Sequence, residues 1–288
     1  MDSVDFHIHT VCSNDAYMEL KRIAPAAKAA GVIALAPTDH DRVAAVKPLR
    51  AQCRDAGLGF FSGVEVDCDD DTGRFGHVHI LGLGLDEDDA ALNALLDTEV
   101  VSGRRRLSAG LRQLEQERGW DLDPGRIRAW WEARVPFREI GPKTVGDYAV
   151  ARGLTNDRRG AVAMIEDAIR RATPSPHVSP SCSKVIETIH NAKGLAILAH
   201  PAAISRDDIL HFVRWGIDGL EIYHKNNAGH VERLLGIALE LDLAVTGGGD
   251  SHLPVQELEP ETWPSTAPAE LYGKLVERYR AKFHRDPN

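Results

Sequence analysis

The feature that most constrains this chain is a rhythm of short β-type runs, each ending in polar residues. They fall at 4–9, 32–37, 59–66, 77–83, 195–200, 219–223 and 243–247. Helix-period segments lie between several of them, at 20–30, 44–56, 90–96, 183–192, 207–215 and 230–241. Gly31, Gly57, Gly194 and Gly216 stand where helices should stop before a strand. The alternation predicts parallel strands joined by crossover helices. Seven such strands predict an α/β protein built as a closed or nearly closed barrel, with a doubly wound sheet as the competing architecture. Both place active sites at the C-terminal ends of strands, where the polar residues cluster here.

The stretch 99–174 breaks the rhythm. It lacks strand-like runs, carries three of the five tryptophans (Trp120, Trp130, Trp131) and holds 14 Arg and one Lys against 11 acidic residues. Its net charge of +4 contrasts with −13 for the remainder, and the whole chain of 288 residues is at −9. We read it as a helical insert between the fourth and fifth strands, so that 1–98 and 175–288 form a discontinuous barrel. A last helix, 268–283, is expected on the outside. The acidic balance argues against duplex DNA as a partner. No apolar run approaches the roughly 18 residues of a membrane span, and the N-terminus lacks the basic and apolar regions of an export signal. Four scattered cysteines without a C-x-x-C fit a reducing cytoplasm, which is the expected location.

The polar strand ends share a chemistry. Side chains at i and i+2 of a strand point the same way, so His7 and His9 present two imidazoles together. Asp15 follows in the next loop. The second run ends in Asp39-His40-Asp41, the third carries Glu65, the fourth His77 and His79, the fifth His200, and the seventh Asp250 and His252. Six of seven strand ends thus deliver His, Asp or Glu to one face. Burying such groups unpaired costs several kcal/mol apiece, and divalent cations satisfy many at once. A multinuclear metal site is the expectation.

In this order, H-x-H at 7–9, T-D-H-D at 38–41, G-V-E at 63–65, H-I-L-G at 79–82, L-A-H-P at 198–201 and G-x-D-x-H at 248–252 resemble the PHP (polymerase and histidinol phosphatase) family. The resemblance covers 4–98 and 177–255. It implies a distorted (β/α)7 barrel with a helical insert domain and a trinuclear metal centre. Carried over by position, His7, His9, Glu65 and Asp250 would hold one metal, and Glu65 would bridge to a second held by His79 and His200. Asp15, His40 and His252 would hold the third. The mixed nitrogen and oxygen donors suit Mn, Fe or Zn.

Three carboxylates against three divalent ions leave the site positive, which favours an anion. Metal-bridging hydroxide attacking a phosphate ester is the implied chemistry, with Glu65, His224 and Asp250 as candidate catalytic residues. Small family members resembling nucleotide phosphatases and RNA-trimming exonucleases carry an R-P-H-like motif in the insert. The matching stretch here is Gly141-Pro142-Lys143. Lys143 or Arg138 would replace the missing arginine, and His224 and Lys225 would add substrate contacts. The expected substrate is a small phosphorylated metabolite or nucleotide, such as a sugar cyclic phosphate with a second phosphate, or a 3′,5′-bisphosphonucleoside. The alternatives are 5′-3′ trimming of short RNA, hydrolysis of histidinol phosphate, and a non-catalytic metal-binding module.

Overall fold

A computed structural model describes residues 2–174, 178–253, 263 and 267–287. All seven β-type runs form strands, but the third one divides. Strands β1 (Ser3–Ile8) and β2 (Val32–Pro37) are followed by a short β3 (Gly59–Phe60) and then β4 (Gly63–Asp69). The break falls at Phe61-Ser62, where backbone pairing passes from one sheet to the other: the Phe61 N–H still donates to the Leu35 carbonyl beside β2, whereas the Ser62 carbonyl accepts from the Gly84 N–H. Then come β5 (His77–Leu83), β6 (Leu195–Leu198), β7 (Gly219–Tyr223), β8 (Ala244–Gly247) and a two-residue β9 (Ala267–Pro268) that the sequence reading did not foresee.

The strands form two hydrogen-bonded sheets, ordered β3-β2-β1-β9 and β4-β5-β6-β7-β8. Isolated parallel bridges join the ends of β1 and β2 to the edges of the second sheet, Ile8 to Ser251 and His40 to Glu65. Both seams therefore run through or beside the metal-ligand candidates. The expectation of uniformly parallel strands fails at β5, which is antiparallel to β4 and to β6. The connector 70–76 is too short to carry a crossover helix, which needs a dozen or more residues. Asp70 organises it as a turn, accepting from the backbone N–H groups of Thr72, Arg74 and Phe75.

Helices α1 (Leu20–Ala29) and α2 (Val46–Ala56) flank the first sheet. Their buried faces, with Ile23, Ala27, Leu49 and Cys53, pack on Ile8, Val32 and Leu35. Helices α7 (Cys182–Asn191), α8 (Arg206–Trp215) and α9 (Val231–Glu240) cover the second. There Ile186, Ile189, Phe212 and Leu234 meet Val64, Val66, Ile80, Leu198, Leu220 and Ile222. Gly57 and Gly216 end helices in the left-handed conformation, as expected, whereas before β6 it is Lys193, not Gly194, that adopts positive φ.

The last helix, α10 (Leu271–Phe283), is not peripheral. Its i, i+4, i+8 stripe of Leu271, Leu275 and Tyr279 joins a cluster drawn from both sheets, including Phe6, Ala34, Phe61, Leu81 and Ile197. The buried Tyr279 hydroxyl donates to the Gly84 carbonyl at 2.9 Å. Each large side chain so buried contributes about 1.5–3 kcal/mol.

The insert is helical, as its sequence suggests. Helix α3 runs unbroken from Ala90 to Arg118, crossing position 99, and α4 (Pro124–Glu132), α5 (Pro142–Ala151) and α6 (Arg158–Ala172) follow. Leu107, Leu111, Leu114, Ile127, Trp131, Tyr148 and Ile165 give it a hydrophobic core of its own. No helix among the described residues is long and apolar enough to cross a membrane.

Candidate metal centre

Glu65 lies at the middle of the polar strand ends. It is 1% exposed and sits on β4, beside the seam with His40. Its Oε2 is 3.2 Å from His7 Nε2, 3.1 Å from His9 Nε2 and 3.5 Å from His40 Nδ1. Its Oε1 is 2.8 Å from His79 Nδ1 and 3.4 Å from His200 Nε2. Asp250 closes the group from the end of β8, with Oδ1 3.2 Å from His9 Nε2 and 3.7 Å from His7 Nε2. Around the corner, His252 Nε2 lies 3.0 Å from Asp15 Oδ2, and the His9 ring is 4.2 Å from that of His252 and 4.6 Å from that of His40. All nine candidate ligands therefore converge at one end of the strands. Donor atoms of His7, His9 and Glu65, of His40, Glu65 and His79, and of His9, Asp15, His40 and His252 come close enough to share an ion.

The donor set fits cations better than it fits itself. His7 and His9 bring Nε2 atoms to 3.1 Å of each other while both face the same carboxylate oxygen. The buried Nδ1 of His9 has no partner among the described residues. Burial disfavours the imidazolium of His7, yet Glu221 and Glu65 outweigh it and raise the His7 pKa well above the ordinary histidine value. His40 behaves likewise, burial being overcome by Glu65 and Asp67. Burial would push Glu65 up, but His7 and His40 bring it well below the usual carboxylate range. Such a cluster holds its carboxylates ionised and calls for positive charge among them. Two candidate ligands, His200 and Asp250, also sit at positive φ (33° and 48°), a strained conformation of the kind found at functional sites.

Two residues that sequence reasoning passed over orient the ligands. Glu221, fully buried on β7, accepts from His7 Nδ1 at 2.9 Å and from the backbone N–H of His200 at 2.9 Å. With the His7 proton held on Nδ1, the lone pair of Nε2 faces the cluster, the tautomer a metal ligand needs. Asp67 does the same for His40, whose Nδ1 lies 2.9 Å from Asp67 Oδ1. The signal for Glu221 was a lone acid inside the apolar strand Gly-Leu-Glu-Ile-Tyr. Glu221→Gln is expected to keep the fold and weaken metal affinity about 10- to 100-fold. Equal affinity in a metal titration would mean that something else holds the His7 ring.

The predicted substrate contacts divide. His224 is buried beside the cluster: its Nδ1 accepts from the Asn226 backbone N–H at 3.1 Å, so its proton is on Nε2, 3.3 Å from Asp250 Oδ2. Lys225 Nζ is 3.1 Å from the same oxygen, and Lys143 Nζ is 3.2 Å from Asp15 Oδ2. Arg138 needs correction. It is 3% exposed, its guanidinium stacked 4.7 Å from the Tyr17 ring and 4.8 Å from that of Trp131, donating to the Ala16 carbonyl. It fastens the insert to the loop after β1 and has no face free for a substrate. Position 141 has no room for an arginine either, because a Cβ there would meet the Asn14 carbonyl oxygen at 2.4 Å.

Two sheets with crossover helices and a multi-histidine, multi-carboxylate cluster at their strand ends define a metal-binding hydrolase of phosphoesters. The profile of the PHP domain matches residues 5–114, and the chain is similar over that stretch to the PHP domain family of metal-dependent phosphoesterases. It is 29% identical over 268 residues to a phosphoribosyl 1,2-cyclic phosphate 1,2-diphosphodiesterase from Eggerthella lenta, covering 86% of this chain and 93% of that one. It is 28% identical over 271 residues to a 5′-3′ exoribonuclease from Haemophilus influenzae, covering 88% and 92%. A crystal structure from Bifidobacterium adolescentis, proposed to be a metal-dependent phosphoesterase, superposes with a TM-score of 0.76 at 25% identity over 96% of each chain. An amidohydrolase from Chromobacterium violaceum shares the fold, with a TM-score of 0.71 at 24% identity.

Proposed function

We propose that the strand ends hold three divalent ions, Mn, Fe or Zn, and that the protein hydrolyses a phosphate ester of a small phosphorylated metabolite or nucleotide. The carrying observation is the convergence of five imidazoles on the two oxygens of one buried carboxylate, Glu65. His7, His9, Glu65 and Asp250 are one ligand set, Glu65, His79 and His200 the second, and Asp15, His40 and His252 the third. In this reading the two bridged sheets act as the distorted seven-stranded barrel of the family, with the insert as a cap from about residue 99 to 174.

Ions bound there supply an acidified water as nucleophile and neutralise nonbridging phosphate oxygens. The chain's own groups do the rest. Glu65 holds the ligand rings in one constellation. His224 keeps its proton on Nε2 at the edge of the cluster, where it can pass to a departing alkoxide. Lys143 and Lys225 bring ammonium groups against Asp15 and Asp250 and are positioned to attract an anionic substrate. The Eggerthella relative supports a cyclic or bisphosphorylated sugar or nucleoside, and the Haemophilus relative supports 5′-3′ trimming of short RNA as the second reading.

A screen of the Mn-loaded protein that follows both released phosphate and released mononucleotide separates them. Its substrates are 3′,5′-bisphosphonucleosides, cyclic sugar phosphates, 5′-phosphorylated oligoribonucleotides and histidinol phosphate. We expect turnover of the first two classes to exceed the others. Fastest release of mononucleotides from RNA would establish the second reading, and no hydrolysis of any of them would overturn both.

A further inference from the structure

The four cysteines divide between the two halves of the core. Cys12 and Cys53 lie in the core of the first sheet, whereas Cys68 and Cys182 meet in that of the second. Cys68 Sγ is 3.1 Å from Cys182 Sγ, and both side chains are fully buried. The Cys68 thiol also has the Val78 carbonyl within reach, at 3.3 Å.

The pair stands where the chain returns from the insert. Cys68 is on β4 and Cys182 heads α7, 114 positions later, with β5 and the helices α3 to α6 in between. Backbone bonds fix the junction on both sides of the sulfurs. The Asp69 N–H donates to the Pro180 carbonyl at 3.0 Å. The Ser179 N–H donates to Asp69 Oδ2 and the Ser183 N–H to Asp71 Oδ2, each at 2.9 Å. A disulfide has its sulfurs about 2.0 Å apart, so closure asks for a movement of about 1 Å. Side chains alternate along β4: Asp67 faces His40, and Cys68 faces the core. A bond at Cys68 therefore forms behind the ligand cluster and consumes no ligand.

We propose that Cys68 and Cys182 are a redox modification site, closed to a disulfide by a peroxide and reopened by a dithiol, which ties the return of the insert to β4. One thiol gives two electrons to hydrogen peroxide and becomes a sulfenic acid, releasing one water. The other thiol attacks that sulfur; the S–S bond forms, and the departing hydroxide takes the thiol proton as a second water. Two thiols and one peroxide thus become one disulfide and two waters. A dithiol reverses the step by exchange and leaves as its own disulfide. The contact with Cys182 and burial both raise the Cys68 pKa well above the ordinary thiol value. Closure is therefore slow at neutral pH and quickens as the pH rises, because the thiolate is the reacting form.

The test treats the full chain with hydrogen peroxide at pH 7 and pH 9, then counts thiols after denaturation and maps the peptides. The count should fall from four to two. A peptide joining the Cys68 and Cys182 segments should appear, faster at pH 9, and vanish with dithiothreitol. Closing so long a loop restricts the unfolded chain, so the oxidised protein should melt roughly 3–7 °C above the reduced one. Cys182→Ser and Cys68→Ser should each lose both the linked peptide and that rise. The wild-type peptide map decides the bond even if neither variant folds. Four thiols retained at both pH values, sulfonic acids without a linked peptide, or a link through Cys12 or Cys53 would overturn the proposal and leave the pair as packed small side chains. A linked peptide without a rise in melting temperature would overturn the tie. None of these readouts depends on metal or on phosphate release.

Discussion

Glu65→Ala is expected to lower kcat at least about a thousandfold, or about 4 kcal/mol of transition-state stabilisation, with the circular dichroism spectrum unchanged. Five imidazoles lie within 3.5 Å of its two oxygens. No other described side chain replaces a carboxylate at that point, and an alanine leaves the two ligand sets unjoined. Glu65→Gln keeps the shape but loses the charge, and should be nearly as slow. Phosphate release within tenfold of wild type in either variant would mean that the nucleophile forms elsewhere.

Stripping divalent ions with a chelator should abolish phosphate release and lower the melting temperature, and Mn should restore both. A ligand at a thousand times its dissociation constant stabilises by about 4 kcal/mol, which for a chain of this size is a rise of roughly 7 °C. The physical reason is the crowding already described: His7 and His9 nitrogens at 3.1 Å, and ionised Glu65 and Asp250 beside them, are best relieved by cations. Identical melting curves with and without Mn would argue that the cluster is satisfied without metal.

Much of this was legible in the sequence, for identifiable reasons. Strands 32–37, 77–83 and 219–223 coincide with their expected limits, and Gly31, Gly76 and Asp218 mark their starts. The ligand candidates were legible because alternation along a strand puts His7 and His9 on one side, and strand ends meet in an α/β fold. The break at Phe61-Ser62 was not, since both residues continue a β-type run and only the change of partner strand, from β2 to β5, divides it. The reversal at β5 was within reach: the connector 70–76 leaves no room for a crossover helix.

Glu221 was missed because attention to strand ends overlooked an acid within a strand. Arg138 was expected to contact substrate because its partners Tyr17 and Trp131 come from separate parts of the chain, and nothing local in the sequence announces their stacking. The ion pairs of Glu139 with Arg42, Arg104 and Arg128 are non-local in the same way, crossing the insert boundary.

The central claim is that the clustered histidines and carboxylates form a multi-metal phosphoesterase centre. The most direct measurement titrates Mn into metal-free protein and follows metal bound and phosphate released in the same samples. The ligand sets predict activity that rises with occupancy and saturates at about two to three ions per chain. Full activity in metal-free protein, or saturable Mn binding with no release from any phosphoester, would contradict it.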